Sequence, residues 1–170
     1  MAGWSEVEAA APELAAAVKG RIEGHLHHVV GTLTADGSPR LSGTEARFHN
    51  GQLWLGCMPK SIKARDMRRD PRIALHSAPL DPEMIDGDAK LSGTVAEVTD
   101  LVAMTDFMIA IGHGGDPENG GLEPGTEMDP GVATAFVCDI DAVTLTKVAV
   151  DHLEVTTWTA SGGLMVRDVS

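Results

Sequence analysis

The residues with the most chemical promise lie between Cys57 and Arg72, in the stretch CMPKSIKARDMRRDPR. Lys60, Lys63, Arg65, Arg68, Arg69 and Arg72 are six of the chain's 13 basic residues, and only Asp66 and Asp70 oppose them there. In a chain of formal net charge −12, such a gathering of cations marks a candidate anion site. The order of residue types suggests how it would work. Ser61 stands as the N-cap of a short helix that Asp70-Pro71 ends. Backbone N–H groups at the helix start, the Ser61 hydroxyl and the Lys63 ammonium can then converge on one phosphate. A merely solvated basic helix face is the competing reading.

The rest of the chain must position that helix. Its 170 residues and 43% hydrophobic content suit a single domain spanning 1–170, with a helical segment over 1–24. No apolar run reaches the roughly 20 residues of a membrane helix. The N-terminus has no basic leader, and Glu6, Glu8 and Glu13 interrupt its apolar part, so no signal peptide is expected. Cys57 and Cys138 form neither a disulfide framework nor a metal-ligand spacing, which suits a reducing cytoplasm. The acidic balance argues against nucleic acid as a partner.

Read in order, Ser5 to Ile22 is an amphipathic helix that Pro12 splits in two. His25, His27 and His28 follow at a strand entrance. In extended chain His25 and His27 share a face and His28 takes the other; polar strand-entrance residues are favoured over metal ligands. Asp36-Gly37 and Asn50-Gly51 are hairpin tips, so 30–55 reads as a three-stranded meander. A fourth strand runs from Arg72 to Ser77. Residues 79–88 are turn-rich and acidic, and a fifth strand runs from Ala89 to Val98 with a bend or bulge at Gly93. Thr99 to Ile111 is helical by its apolar spacing. Residues 112–131 hold seven glycines, three prolines and no base; they read as a flexible loop, a lid being the second choice. Strands resume at Ala133–Ile140, Val143–Val150 and Leu153–Thr159, and a last one reaches Val166. Seven to nine short strands with two inserted helices predict a mainly β fold, a closed antiparallel barrel with helical additions.

No Gly-rich dinucleotide fingerprint, phosphate-loop lysine motif or nucleophile-elbow serine is present. His113-Gly114-Gly115 belongs to no complete catalytic set. Cys57 beside a basic helix invites a lowered thiol pKa, though strand packing is the favoured role. A phosphate site without an acid–base set suits an enzyme whose chemistry resides in a bound cofactor.

Four segments carry a family resemblance: Gly37-Ser38-Pro39-Arg40-Leu41-Ser42, Asn50-Gly51-Gln52-Leu53-Trp54, Ser61-Ile62-Lys63-Ala64-Arg65-Asp66-Met67 and Asp70-Pro71-Arg72-Ile73-Ala74-Leu75. Together they resemble the pyridoxamine 5′-phosphate oxidase-like FMN-binding split-barrel proteins. The likeness covers about residues 25–100, and Leu91-Ser92-Gly93-Thr94-Val95 resembles the next barrel strand. It implies a split β-barrel that forms a homodimer and holds a flavin at the subunit interface. By matching position, Ser61, Ile62 and Lys63 would take the phosphate, with Gly56 and Cys57 on the preceding strand. Ser42, Gly43 and Thr44 would line the ring and ribityl chain, Arg47 would add positive charge, and His76 would approach from the side.

The true oxidases carry arginine in place of Ser42, lysine in place of Arg47 and an Arg-x-His motif that Leu164–Asp168 lacks. Pyridoxamine phosphate oxidation is therefore not expected. The basic series resembles the actinobacterial branch that uses FMN or the deazaflavin coenzyme F420, whose oligoglutamate tail would meet Arg65, Arg68 and Arg69. The leading expectation is a flavin- or deazaflavin-dependent oxidoreductase that moves a hydride to or from a small conjugated substrate. The alternatives are a non-catalytic flavin-binding or carrier protein, a haem-binding or haem-degrading relative using His25, His27 or His28, and a pure interaction protein.

Overall fold

The alanine-rich N-terminus forms two helices, α1 (Trp4–Ala10) and α2 (Pro12–Glu23). Pro12 occupies the first turn of α2, where its missing N–H would have had no partner anyway. The computed structural model describes residues 3–78 and 83–170, so part of the predicted turn-rich stretch at 79–88 lies outside the described residues.

Eight strands follow: β1 (His27–Leu33), β2 (Pro39–His49), β3 (Gln52–Cys57), β4 (Arg72–His76), β5 (Asp88–Glu97), β6 (Thr134–Val148), β7 (Leu153–Thr159) and β8 (Gly163–Val169). Helix α3 (Ile62–Arg69) follows β3, and α4 (Leu101–Ala110) follows β5. Neighbours run in the order β3-β2-β1-β4-β5-β6-β7-β8, and β3 also pairs with β6. That extra pairing closes β1 to β6 into a six-stranded antiparallel barrel, with β7 and β8 as an appended hairpin. Closure removes the open edges that the meander alone would expose.

Local chemistry accounts for the corners. Asn50 (φ 49°) and Gly51 (φ 72°) both take the left-handed conformation, which a two-residue hairpin turn of this twist demands. At Gly93 the register between β5 and β6 shifts. A Cβ there would sit 1.9 Å from the Asp139 carbonyl oxygen, so only glycine lets the two backbones approach.

One prediction needs correction. The text 133–150 read as two strands, but β6 is continuous. It pairs with β5 along its length while changing its other partner, from β3 over 134–137 to β7 over 142–148. Asp141 resembles a turn residue, yet it lies where a strand crosses from the barrel to the hairpin.

Val30, Leu53, Leu55, Leu75, Phe136 and Ile140 fill the barrel, and α1 and α2 pack Trp4, Leu14, Val18 and Ile22 against the same core. A second cluster joins Met104, Phe107 and Ile111 of α4 to Trp54 and Ala135, with Met128 from the following loop buried among them. His28 is buried beneath α2. Its Nδ1 accepts from the Ala78 N–H at 3.0 Å, so Nε2 carries the proton and donates to the carbonyls of Ile22 (3.0 Å) and His25 (2.9 Å). Both ring nitrogens are thus engaged in holding the α2–β1 corner. No helix among the described residues is long and apolar enough to cross a membrane.

Candidate functional site

Ser61 begins α3 as its sequence position suggests. Its backbone is extended (φ −64°, ψ 152°) and its hydroxyl accepts from the Ala64 N–H at 3.3 Å. This caps one of the helix's unpaired first-turn donors. Lys63, on that first turn, reaches across to β2 and donates from Nζ to the Gly43 carbonyl. The lysine thereby stands at the mouth of a cleft of about 410 Å³.

Five predicted site residues line that cleft together: Gly43, Thr44, Gly56, Cys57 and Lys63. Gly43 is open on its Cβ side, with no heavy atom within 4 Å, while a Cβ on Gly56 would meet Glu45 Oε2 at 3.2 Å and Phe107 Cε1 at 3.3 Å. The backbone is therefore open at Gly43, whereas the Glu45 side chain and the Phe107 ring cover Gly56. Thr44 is buried and donates from Oγ1 to the Gly56 carbonyl at 3.1 Å, fixing the two strands to each other.

The other five do not line it. Ser61 and Ile62 flank it at the α3 start, with Ile62 exposed. Ser42 pairs with Val30 and shares its inward face. Arg47 donates from Nη1 to the Glu23 carbonyl at 3.3 Å, at the C-terminal end of α2. A guanidinium there complements the helix dipole. His76 hydrogen-bonds the Ser77 carbonyl through Nδ1 at 2.8 Å and faces Asp88 at 3.7 Å. It lies by a shallow apolar depression on the outer sheet face, with Val29, Leu41 and Ala74.

The basic cluster proves to be largely paired. Asp66 is buried on the inner face of α3 and accepts from Arg40 Nε at 2.8 Å, Arg69 Nη2 at 2.8 Å and Thr32 Oγ1 at 3.1 Å. Burial alone would push its carboxyl up, but the bonds from Arg69, Arg40 and Thr32 outweigh it and hold the carboxyl below the usual range. Arg68 is paired with Glu97, and Arg72 with Asp70. Lys60, Lys63 and Arg65 have no ion pair among the described residues, and of these Lys63 lines the cleft. Cys57 runs against the idea of an activated thiol. Burial pushes it up and outweighs Ser61, Lys63 and Arg68, which pull the other way.

The cleft is also lined by residues that the sequence reading did not assign to it: His27, Glu45, Met108, His113, Val132 and Ala133. Glu45 was within reach, because it lies two residues beyond Gly43 on the same outer face of β2. His113 was not, since only the course of the loop after α4 brings it there. That loop takes a defined path in which Leu122 N–H donates to the Gly114 carbonyl at 2.6 Å and Gly125 N–H to Asp106 Oδ1 at 3.0 Å.

No protein-family model matches the chain, and no curated protein matches it in sequence. Solved structures match it in fold. A pyridoxamine 5′-phosphate oxidase-related, FMN-binding protein from Nostoc punctiforme superposes with a TM-score of 0.64 at 13% identity, over 94% of this chain and 96% of that one. General stress protein 26 from Bacillus anthracis gives 0.56 at 12% identity, over 76% and 91%. An F420 reductase gives 0.50 at 20% identity, over 69% and 88%. The chain has the split-barrel fold of the pyridoxamine 5′-phosphate oxidase-related proteins.

Proposed function

We propose that the cleft binds a phosphorylated flavin or deazaflavin, FMN or coenzyme F420, and that the protein is an oxidoreductase acting on a small conjugated substrate. The observation that carries this reading is Lys63, set on the capped first turn of α3 and reaching the open backbone at Gly43 in the same cleft. The residues fit such a group. A planar ring needs close approach to backbone, which the open side of Gly43 allows. A phosphate needs a cation and oriented N–H donors, which Lys63 and the α3 start supply. Ser61 and Ile62 complete that end, and Cys57 bounds it as packing surface. When bound, such a cofactor supplies two-electron transfer as a hydride. This chain's residues position it and keep water from one face.

The arrangement favours FMN. Two of the three arginines assigned to an oligoglutamate tail, Arg68 and Arg69, already hold Glu97 and Asp66. We also propose a homodimer. Leu41 (77% exposed) and Val29 (42% exposed) leave an apolar patch on the outer sheet face beside Ala74 and His76, of the kind a second copy covers. The two free thiols suit a reducing compartment.

Titrating the purified protein with FMN, the deazaflavin and haem, followed by absorption and flavin fluorescence, tests the reading. Saturable binding of FMN or the deazaflavin supports it. Binding of haem alone, or of none of the three, overturns it.

A further inference from the structure

The lining of the same cleft contains a histidine–carboxylate pair. Glu45 projects from β2 toward the cleft, and His113 Nε2 lies 2.6 Å from Glu45 Oε1. His113 is placed by the end of α4. The Gly112 N–H donates to the Ile109 carbonyl at 3.0 Å, the His113 N–H to the Met108 carbonyl at 2.8 Å, and Gly112 turns the chain at φ 86°. Gly114 must then pass close to Ile109, whose Cγ1 would lie 3.0 Å from any added Cβ. The glycines around His113 and the end of α4 thus set the backbone at that position, and Glu45 is the ring's hydrogen-bond partner. Glu45 is largely buried while the His113 ring is about half exposed. With Nε2 committed to the carboxylate, Nδ1 has no hydrogen-bond partner among the described residues.

We propose that His113 and Glu45 are the acid–base pair of this cleft. Glu45 fixes the imidazole tautomer and orientation, and His113 exchanges a proton at Nδ1 with the substrate. The arrangement follows the general logic in which a carboxylate orients a histidine whose second nitrogen handles the proton. The proposal rests on the flavin reading for its reaction class. A conjugated substrate that has taken a hydride from the reduced flavin-type cofactor carries one extra negative charge and needs one proton. The Nδ1–H bond of the imidazolium breaks, an O–H or N–H bond forms on the substrate, and a neutral imidazole remains while Glu45 stays ionised. His27, whose Nε2 is 3.9 Å from the same Glu45 oxygen, Lys63 and Cys57 are the other charged or titratable groups that line the cleft.

The test has two arms. Long-range proton–nitrogen NMR of protein labelled in its histidines reads the tautomer of His113 without any ligand. The expected result is a fixed Nε2–H tautomer, lost to a mixture in Glu45→Ala and retained in the size-keeping Glu45→Gln, with thermal unfolding confirming that both variants fold. In the second arm, acylation of His113 by diethyl pyrocarbonate should slow several-fold in saturating FMN. A Nδ1–H tautomer, or a tautomer indifferent to Glu45→Ala, overturns the pair. So does full reactivity of His113 while FMN fluorescence shows the cofactor bound. Absence of FMN binding with the Nε2–H tautomer fixed refutes the flavin reading instead and supports the pair.

Discussion

Replacing Asp66 by asparagine should loosen the helix that carries Lys63, and the structure sets the size of the effect. The carboxylate is buried, whereas the Arg40 and Arg69 side chains are 36% and 40% exposed. Breaking a wholly buried ion pair costs about 3–5 kcal/mol, because a charge is stranded. Here both guanidinium groups regain water, and the amide oxygen can still accept from Thr32. The cost should therefore fall near that of the charged hydrogen bonds lost, about 2–3 kcal/mol. The loss should also depend on pH in a definite direction. The carboxyl's folded value lies below its unfolded value of about 3.9. Its contribution is therefore complete above about pH 4 and is lost as pH falls through the folded value. Urea unfolding of the wild type and Asp66→Asn at neutral pH and at successively lower pH gives both quantities. A gap of about 2–3 kcal/mol at neutral pH that narrows once pH drops below about 4 is expected. A gap under about 0.5 kcal/mol, or one that stays constant into strong acid, would show that Asp66 does not anchor α3.

His28 is held neutral by burial, which pulls it below its ordinary value despite the His25 and Ile22 carbonyls. The stability it contributes should therefore be present at neutral pH and fall as pH drops below about 6.5. Thermal unfolding of His28→Gln should show a flatter slope between neutrality and mild acid than the wild type; an unchanged slope would place the titrating group elsewhere. Gly93→Ala should destabilise by about 1–3 kcal/mol or more through overpacking against Asp139, measured by denaturant unfolding. A cost under about 0.5 kcal/mol would mean that the β5–β6 bulge can relax.

Most of the barrel could be read because its determinants are local. Asp36-Gly37 and Asn50-Gly51 demand hairpin turns, Pro12 splits a helix, and Ser61 and Asp70-Pro71 bracket α3. Each of these acts within a few residues. The continuity of β6 could not be read in this way, because what keeps Asp141 in a strand is a change of partners across the sheet. That Ser61 and Lys63 share the start of α3 was legible for the same reason as the turns. Ser61 and Lys63 lie on one helical turn, and Gly43 and Gly56 are brought opposite it by strand register. Arg47 and His76 come from that same meander, yet they serve α2 and the outer face. Strand position alone does not say which neighbouring element a long side chain will reach. Glu45 and His113 are 68 residues apart, and their meeting depends on how the chain leaves α4. The cation count, too, misled until Arg68, Arg69 and Arg72 were seen to hold acids.

The account stands most directly on Lys63 as the phosphate ligand, so affinity for FMN and for riboflavin should be measured by fluorescence quenching on the wild type and Lys63→Ala. Losing a charged hydrogen bond costs about 1.5–3 kcal/mol, which predicts FMN binding weaker by roughly one to two powers of ten. Riboflavin lacks the phosphate and should be nearly indifferent to the change. Equal losses for the two ligands, or no loss for FMN, would contradict a phosphate site at the start of α3.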